Sequence, residues 1–107
     1  MLAFLFPGQG SQVPGMGRSI AETWTAARSV FEEADDALGL SLSKTIFDGT
    51  EDDLRQTSIT QPAILTTSIA ILRALEVERP GIRPSFAAGH SLGEWTALVA
   101  VGALRFV

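Results

Sequence analysis

Gly89-His90-Ser91-Leu92-Gly93 is the stretch of this sequence with the clearest chemistry. The pattern G-x-S-x-G fits a serine nucleophile held on a sharp strand-to-helix turn, its hydroxyl projecting clear of a sheet. Gly89 and Gly93 carry no Cβ, so a strand and a helix can approach closely on either side of the turn. The helix that follows aims its first N–H groups and the positive end of its dipole at the reacting centre. Three fixed positions in five recur by chance, and an ordinary strand-to-helix turn is the competing reading. The flanks favour the nucleophile: small residues at 86–88 precede the motif and a helix-compatible run at 94–101 follows it.

A serine hydroxyl attacks poorly unless a base takes its proton, and the oxyanion that forms needs donors already in place. The main-chain N–H of Leu92, the residue after the nucleophile, is the natural first donor. A second should come from a loop after an earlier strand. Pro7-Gly8-Gln9-Gly10-Ser11-Gln12 is such a loop, and the glycines beside Gln9 let its backbone come close to a substrate. His90 is the single histidine, yet it adjoins Ser91, and neighbouring side chains diverge around a tight elbow. Triad bases arrive from remote sequence, so His90 reads as a packed or hydrogen-bonded residue beside the site, not as the base.

The elements that must hold these residues can be read from periodicity. Residues 2–6 form a short continuous apolar run, the signature of a strand buried on both faces, and Pro7-Gly8 ends it. Residues 7–17, with Gly8, Gly10, Gly15, Gly17, Pro7 and Pro14, are a loop. Ile20, Trp24, Ala27, Phe31, Ala34 and Leu38 then draw one helical stripe, opposite a polar face of Glu22, Arg28, Glu32, Asp35 and Asp36. Gly39 stops that helix. Leu42 and Ile46 suggest a short helix or turn, and Thr50-Glu51-Asp52-Asp53 reads as an N-cap with acids in the first turn. A second long helix is predicted from near Thr60, with Pro62 in its first turn, and it is apolar almost all round. Pro80-Gly81 breaks it. Residues 85–88 are a candidate second strand, and 92–101 a third helix. This order predicts an α/β fold with a parallel sheet. Two strands are few for an open sheet, and the apolar ending at 104–107 reads as the front portion of a larger domain.

Composition narrows the function classes. The 107 residues suit one modest domain, and a formal net charge of −4 with one lysine argues against a nucleic-acid or anionic-membrane surface. Absent cysteine excludes disulfide scaffolds, thiol nucleophiles and thiolate zinc, and a lone histidine disfavours any other metal site. The residues are 46% hydrophobic against 19% charged, which predicts a packed core rather than disorder. No signal peptide or bilayer-spanning run is visible, so a cytoplasmic protein is expected.

Three motifs in order carry a resemblance to a known family. Phe6-Pro7-Gly8-Gln9-Gly10-Ser11-Gln12, Thr60-Gln61-Pro62-Ala63 and Gly89-His90-Ser91-Leu92-Gly93-Glu94 together resemble the malonyl-CoA:acyl-carrier-protein transacylases, over residues 2–106. The resemblance implies that residues 1–107 are the N-terminal part of an α/β-hydrolase-like acyltransferase core with a parallel sheet. A ferredoxin-like subdomain inserted later in that family is not present in this chain. It implies a ping-pong reaction in which Ser91 takes malonyl from coenzyme A and passes it to the phosphopantetheine thiol of acyl carrier protein, with no bound cofactor or metal. It also implies an oxyanion hole from the amides of Gln9 and Leu92, and puts Gln61 and His90 near the substrate pocket; Gln61 also suits a helix-start cap. The family's catalytic histidine and its carboxylate-binding arginine fall beyond Val107. Arg105 lies too near the elbow to match that arginine and reads as a surface residue, so this chain alone is expected to be inactive.

Other readings stay open. A serine esterase or thioesterase would use the same elbow with water as acceptor, although the Phe-Pro-Gly-Gln-Gly loop favours a transferase over lipase-type loops. An acyltransferase domain of a polyketide synthase would share all three motifs. A non-catalytic module could present Glu32, Glu33, Asp35 and Asp36 to a basic partner, although a charge run on a helix is more often a solvated face.

Overall fold

The computed structural model describes residues 2–8, 10, 12–82, 86–89, 92–100 and 106. The first strand, β1 (Ala3–Phe6), ends at Pro7. Its residues alternate between exposed and half-buried, and Leu5 is 79% exposed. The expected burial on both faces is therefore not found. Among the described residues helices pack on one side of this strand and nothing covers Leu5.

The predicted helical stripe is divided in two, a short α1 (Arg18–Thr23) and α2 (Thr25–Leu38), because Trp24 adopts an extended conformation between them. The break leaves carbonyls at the end of α1 that a continuous helix would have used. One side chain satisfies two of them instead. The Arg28 guanidinium donates to the carbonyls of Ala21 and Glu22 at 3.2 and 3.3 Å; the bond from Thr23 Oγ1 to the Ser19 carbonyl at 2.8 Å lies within α1. The apolar stripe survives the break, with Ala27, Val30, Phe31 and Ala34 buried and Trp24 packed against the same core. Gly39 ends α2 at φ 67°, its N–H donating to the Asp35 carbonyl at 2.9 Å.

Asp35 does not belong to a solvated acidic face. Its carboxylate accepts from Ser43 N–H at 2.9 Å and from Ser43 Oγ at 2.6 Å, which pins the start of α3 (Leu42–Asp48) to α2. Next comes α4 (Glu51–Arg55), which opens at the predicted N-cap, and the structure shows that cap to be reciprocal. Asp53 N–H donates to Thr50 Oγ1 at 3.2 Å while Thr50 N–H donates to Asp53 Oδ2 at 3.0 Å.

The long helix α5 (Thr57–Glu78) starts three residues before the predicted Thr60, so Pro62 stands in its second turn, not its first. Proline cannot donate to the Ser58 carbonyl from that position, and the preceding turn is secured by Ile59 and Thr60 N–H groups donating to the Gln56 carbonyl at 2.8 and 2.7 Å. Ala63, Ile64, Ile69, Ala70, Leu72 and Ala74 are buried, as an all-round apolar helix requires, whereas Ile71 and Val77 reach the surface. Phe31, Leu42, Ile46, Leu54 and Ile69 form the centre of one core to which α2, α3, α4 and α5 all contribute.

The second strand, β2 (Phe86–Gly89), pairs parallel to β1 with Ala3 opposite Phe86 and Phe6 opposite Gly89. It leads into α6 (Leu92–Ala100). The predicted mixed α/β class with a parallel sheet is thus what the chain adopts. Among the described residues no helix is long and apolar enough to cross a membrane.

Candidate active site

Because the two strands run parallel and finish level, the segments that follow Phe6 and Gly89 both leave from the carboxyl end of the sheet. That end is where open α/β sheets place their ligands. Only positions 90 and 91, both outside the described residues, separate the end of β2 from the start of α6.

Gly93 fixes where that helix sits. A Cβ at this position would lie 2.2 Å from the Phe6 carbonyl oxygen, 2.9 Å from its carbon and 3.0 Å from the Pro7 oxygen. No side chain fits in that gap. The sequence predicts close approach of strand and helix at Gly93. The structure adds that the strand approached is β1, so the first turn of α6 rests against the very point where the glycine-rich loop begins. Behind it Thr96 and Ala97 are buried, Leu92 is nearly so, and Gly8 is buried at the loop's own start.

The loop has an internal tie as well. Gly10 stands at φ 108°, a backbone region that side chains disfavour, although a Cβ there would meet nothing within 4 Å. Its N–H donates to Gln12 Oε1 at 2.8 Å. Further along, Gly15 N–H donates to the Ile46 carbonyl at 2.7 Å, and Arg18 pairs with Asp48 while donating to the Phe47 carbonyl at 2.7 Å. These contacts moor the loop to α3.

Beside the start of α6 lies an apolar groove of about 420 Å³ between α2, α5 and α6. Leu92, Trp95, Leu65 and Leu38 line it, with Gln61 and Thr66 as its polar members. Two of the predicted site residues, Gln61 and Leu92, are therefore brought together on one groove. Gln61 is exposed. Gln9, His90, Ser91 and Arg105 lie outside the described residues. The sequence alone gave no role to the Gln12 side chain; an amide two positions after a loop glycine was the available signal. Among the described residues no group of three or more His, Cys, Asp or Glu could hold a metal.

Comparison with known proteins gives one consistent result. The family described as acyl transferase domain matches residues 3–106. The malonyl CoA-acyl carrier protein transacylase of Bacillus subtilis (strain 168) is 54% identical over 105 residues, covering 98% of this chain and 32% of the relative. The crystal structure of acyl-carrier-protein S-malonyltransferase from Burkholderia pseudomallei 1710b superposes with a TM-score of 0.91 at 50% identity, over 97% of this chain and 33% of that one. A malonyl-transacylase in complex with its type II PKS acyl-carrier protein gives a TM-score of 0.90 at 45% identity, with coverage of 97% and 33%. The chain thus spans about a third of the length of the relatives it matches. A family match across nearly all of its residues, on a fold shared at high identity, means that this chain belongs to the acyl transferase domain family.

Proposed function

We propose that this chain is the N-terminal part, residues 1–107, of a cytoplasmic [acyl-carrier-protein] S-malonyltransferase of fatty-acid synthesis. Its substrates are malonyl-CoA and the phosphopantetheine thiol of acyl carrier protein, and it needs no bound cofactor. Ser91 is the nucleophile. Its oxygen adds to the thioester carbonyl, the C–S bond breaks, and coenzyme A leaves as the free thiol with the serine's proton. The carrier thiol then attacks the malonyl ester, forming a new C–S bond as the C–O bond to the serine breaks, and the thiol's proton returns to the Ser91 oxygen. The proton acceptor in the first step is a group remote in sequence, because His90 adjoins the nucleophile and diverges from it around the elbow.

The observation that supports this reading most directly is the seat of Gly93 on the Phe6 carbonyl. It brings the start of α6, which carries the Leu92 amide, against the start of the loop that carries the Gln9 amide. One main-chain N–H from each of these segments would supply the preorganised pair of donors that an oxyanion requires. Gln61, on the groove beside Leu92, suits a polar contact with the acyl group.

The test grafts residues 1–107 onto the Bacillus subtilis relative in place of its matching third, so that the rest of a family domain is supplied. The graft is expected to move malonyl from coenzyme A to carrier protein through an ester visible by intact mass. In the Ser91→Ala graft both ester and transfer should disappear. Release of free malonate without carrier loading would instead identify a thioesterase, and an ester that survives Ser91→Ala would remove Ser91 from its role.

A further inference from the structure

Among the described residues β1 and β2 pair only with each other. Each therefore has a second edge, and that of β1 opens onto a groove of about 300 Å³. One wall of the groove is the unbroken run of residues 3–7. Successive side chains of a strand point to opposite faces, so a groove that touches every residue of the run follows the strand's edge. The other wall is Ser68, Ile71, Leu72 and Leu75 of α5, which share one helical stripe at i, i+3, i+4 and i+7. Ile71 on that stripe is exposed.

A strand that ends a finished sheet carries a device against further pairing: a charge, a proline or a bulge. β1 has none of the three. Its sequence, Ala-Phe-Leu-Phe, is uncharged, its register with β2 runs without interruption, and Pro7 comes after the last paired residue. The groove is equally unguarded, since Ser68 is the one polar residue that lines it and no charged residue does. Every second residue of β1 turns its N–H and C=O away from β2 and towards this groove. A helix laid there would bring side chains but leave those main-chain groups unpaired, whereas a strand would pair them.

We infer that the groove is the docking site of a third strand, contributed by the part of the family domain that this chain does not span. The chain covers about a third of the length of its relatives, so the remainder is long enough to provide one. The inference rests on reading residues 1–107 as part of a longer domain, and not on the chemistry of Ser91. The incoming strand lies about 4.8 Å from β1 and sets alternate side chains on the α5 stripe, where apolar residues match Ile71, Leu72 and Leu75. Its remaining side chains join Leu5 on the opposite face, so the strand is apolar on both faces.

Amide hydrogen exchange in the free chain and in the graft tests the docking. In the free chain the β1 amides are expected in two classes, slow where they pair with β2 and fast where they face the groove. In the graft the fast class should slow by about 100-fold or more. Amides that stay fast in the graft would overturn the inference. So would amides already slow in a free chain that sediments as a dimer, which would give the groove to a second copy. Ile71→Lys places a charge on the groove wall at a position exposed in the free chain. The free chain should then melt at its wild-type temperature and the graft about 5 °C lower or more. A shift of equal size in both proteins, or none in the graft, would overturn the inference as well. Neither measurement involves acyl transfer. A graft that folds without loading carrier protein therefore sinks the proposed chemistry, while exchange and melting still decide the groove.

Discussion

Gly93→Ala sets two physical effects against each other, and their sizes decide the outcome. Alanine is the better helix former by about 1 kcal/mol, so on propensity alone the substitution would stabilise α6. The new Cβ, however, lands 2.2 Å from the Phe6 carbonyl oxygen and 3.0 Å from that of Pro7. Comfortable contacts begin near ~3.5 Å, so the helix must retreat by about 1 Å. The obstruction is main chain in a paired strand and has no rotamer with which to yield. Overpacking of this kind costs about 1–3 kcal/mol and occasionally more. The upper part of that range applies here, leaving a net loss of about 2 kcal/mol after the propensity gain. A domain of this size would melt roughly 8–16 °C lower. The retreat also parts the two proposed oxyanion donors by about 1 Å, so acylation in the graft should fall on the order of 100-fold. Gly39→Ala is the control. It replaces a glycine at φ 67° with nothing within 4 Å, so it carries only conformational strain of about 1 kcal/mol. A Gly93→Ala protein that melts no lower than Gly39→Ala, or that acylates like the wild type, would refute the claim that α6 is seated on β1.

The same exchange at two buried threonines should act with opposite signs. Thr60 is 0% exposed and its Oγ1 donates to the Leu54 carbonyl, so Thr60→Val strands that acceptor, while the Gln56 carbonyl keeps its main-chain donors, and should destabilise by about 1–3 kcal/mol in denaturant unfolding. Thr96 is equally buried, but its Oγ1 has no partner among the described residues, so Thr96→Val should be neutral or stabilising by up to about 1 kcal/mol. Equal signs in the two variants would show that the Thr96 hydroxyl is satisfied. At the cap of α4, Thr50→Ala removes one half of the reciprocal pair and should cost about 1 kcal/mol, read as a shift in the urea midpoint at constant slope.

What could be read from sequence was whatever depends on neighbours in the chain. The cap at Thr50, the stop at Gly39 and the start of a helix at Leu92 are local, and each was legible. The break at Trp24 was not, because the apolar period of the stripe continues straight through it. What permits it is the Arg28 side chain, which satisfies two of the freed carbonyls, an accounting that periodicity does not see. Asp35 was misplaced for a related reason. By spacing it faces water, yet the start of α3 folds back and takes its carboxylate as a partner. At the site, sequence identified Gly93 as a residue needed for close packing but not what it packs on. The Phe6 carbonyl is a tertiary neighbour from the far end of the chain, and only the paired strands bring it there.

That pairing carries more of the site than any single residue in it. Had β1 and β2 run antiparallel, residues 7–12 would leave from the opposite end of the sheet. With four residues in each strand at about 3.3 Å per residue, the loop would stand about 13 Å from the elbow, beyond any shared oxyanion. A slip of one residue within the parallel arrangement would displace the two chain ends by about 3.3 Å and turn each side chain of β1 to the other face. Phe6 opposite Gly89 is therefore the register that the proposed site requires. Parallel strands cannot be joined by a short turn. The helices α1 to α5 between them, with the core they build around Phe31, Ile46 and Ile69, are the connection that this geometry requires. Most of the described chain thus serves to return a second strand to the side of the first, pointing the same way and ending at the same height.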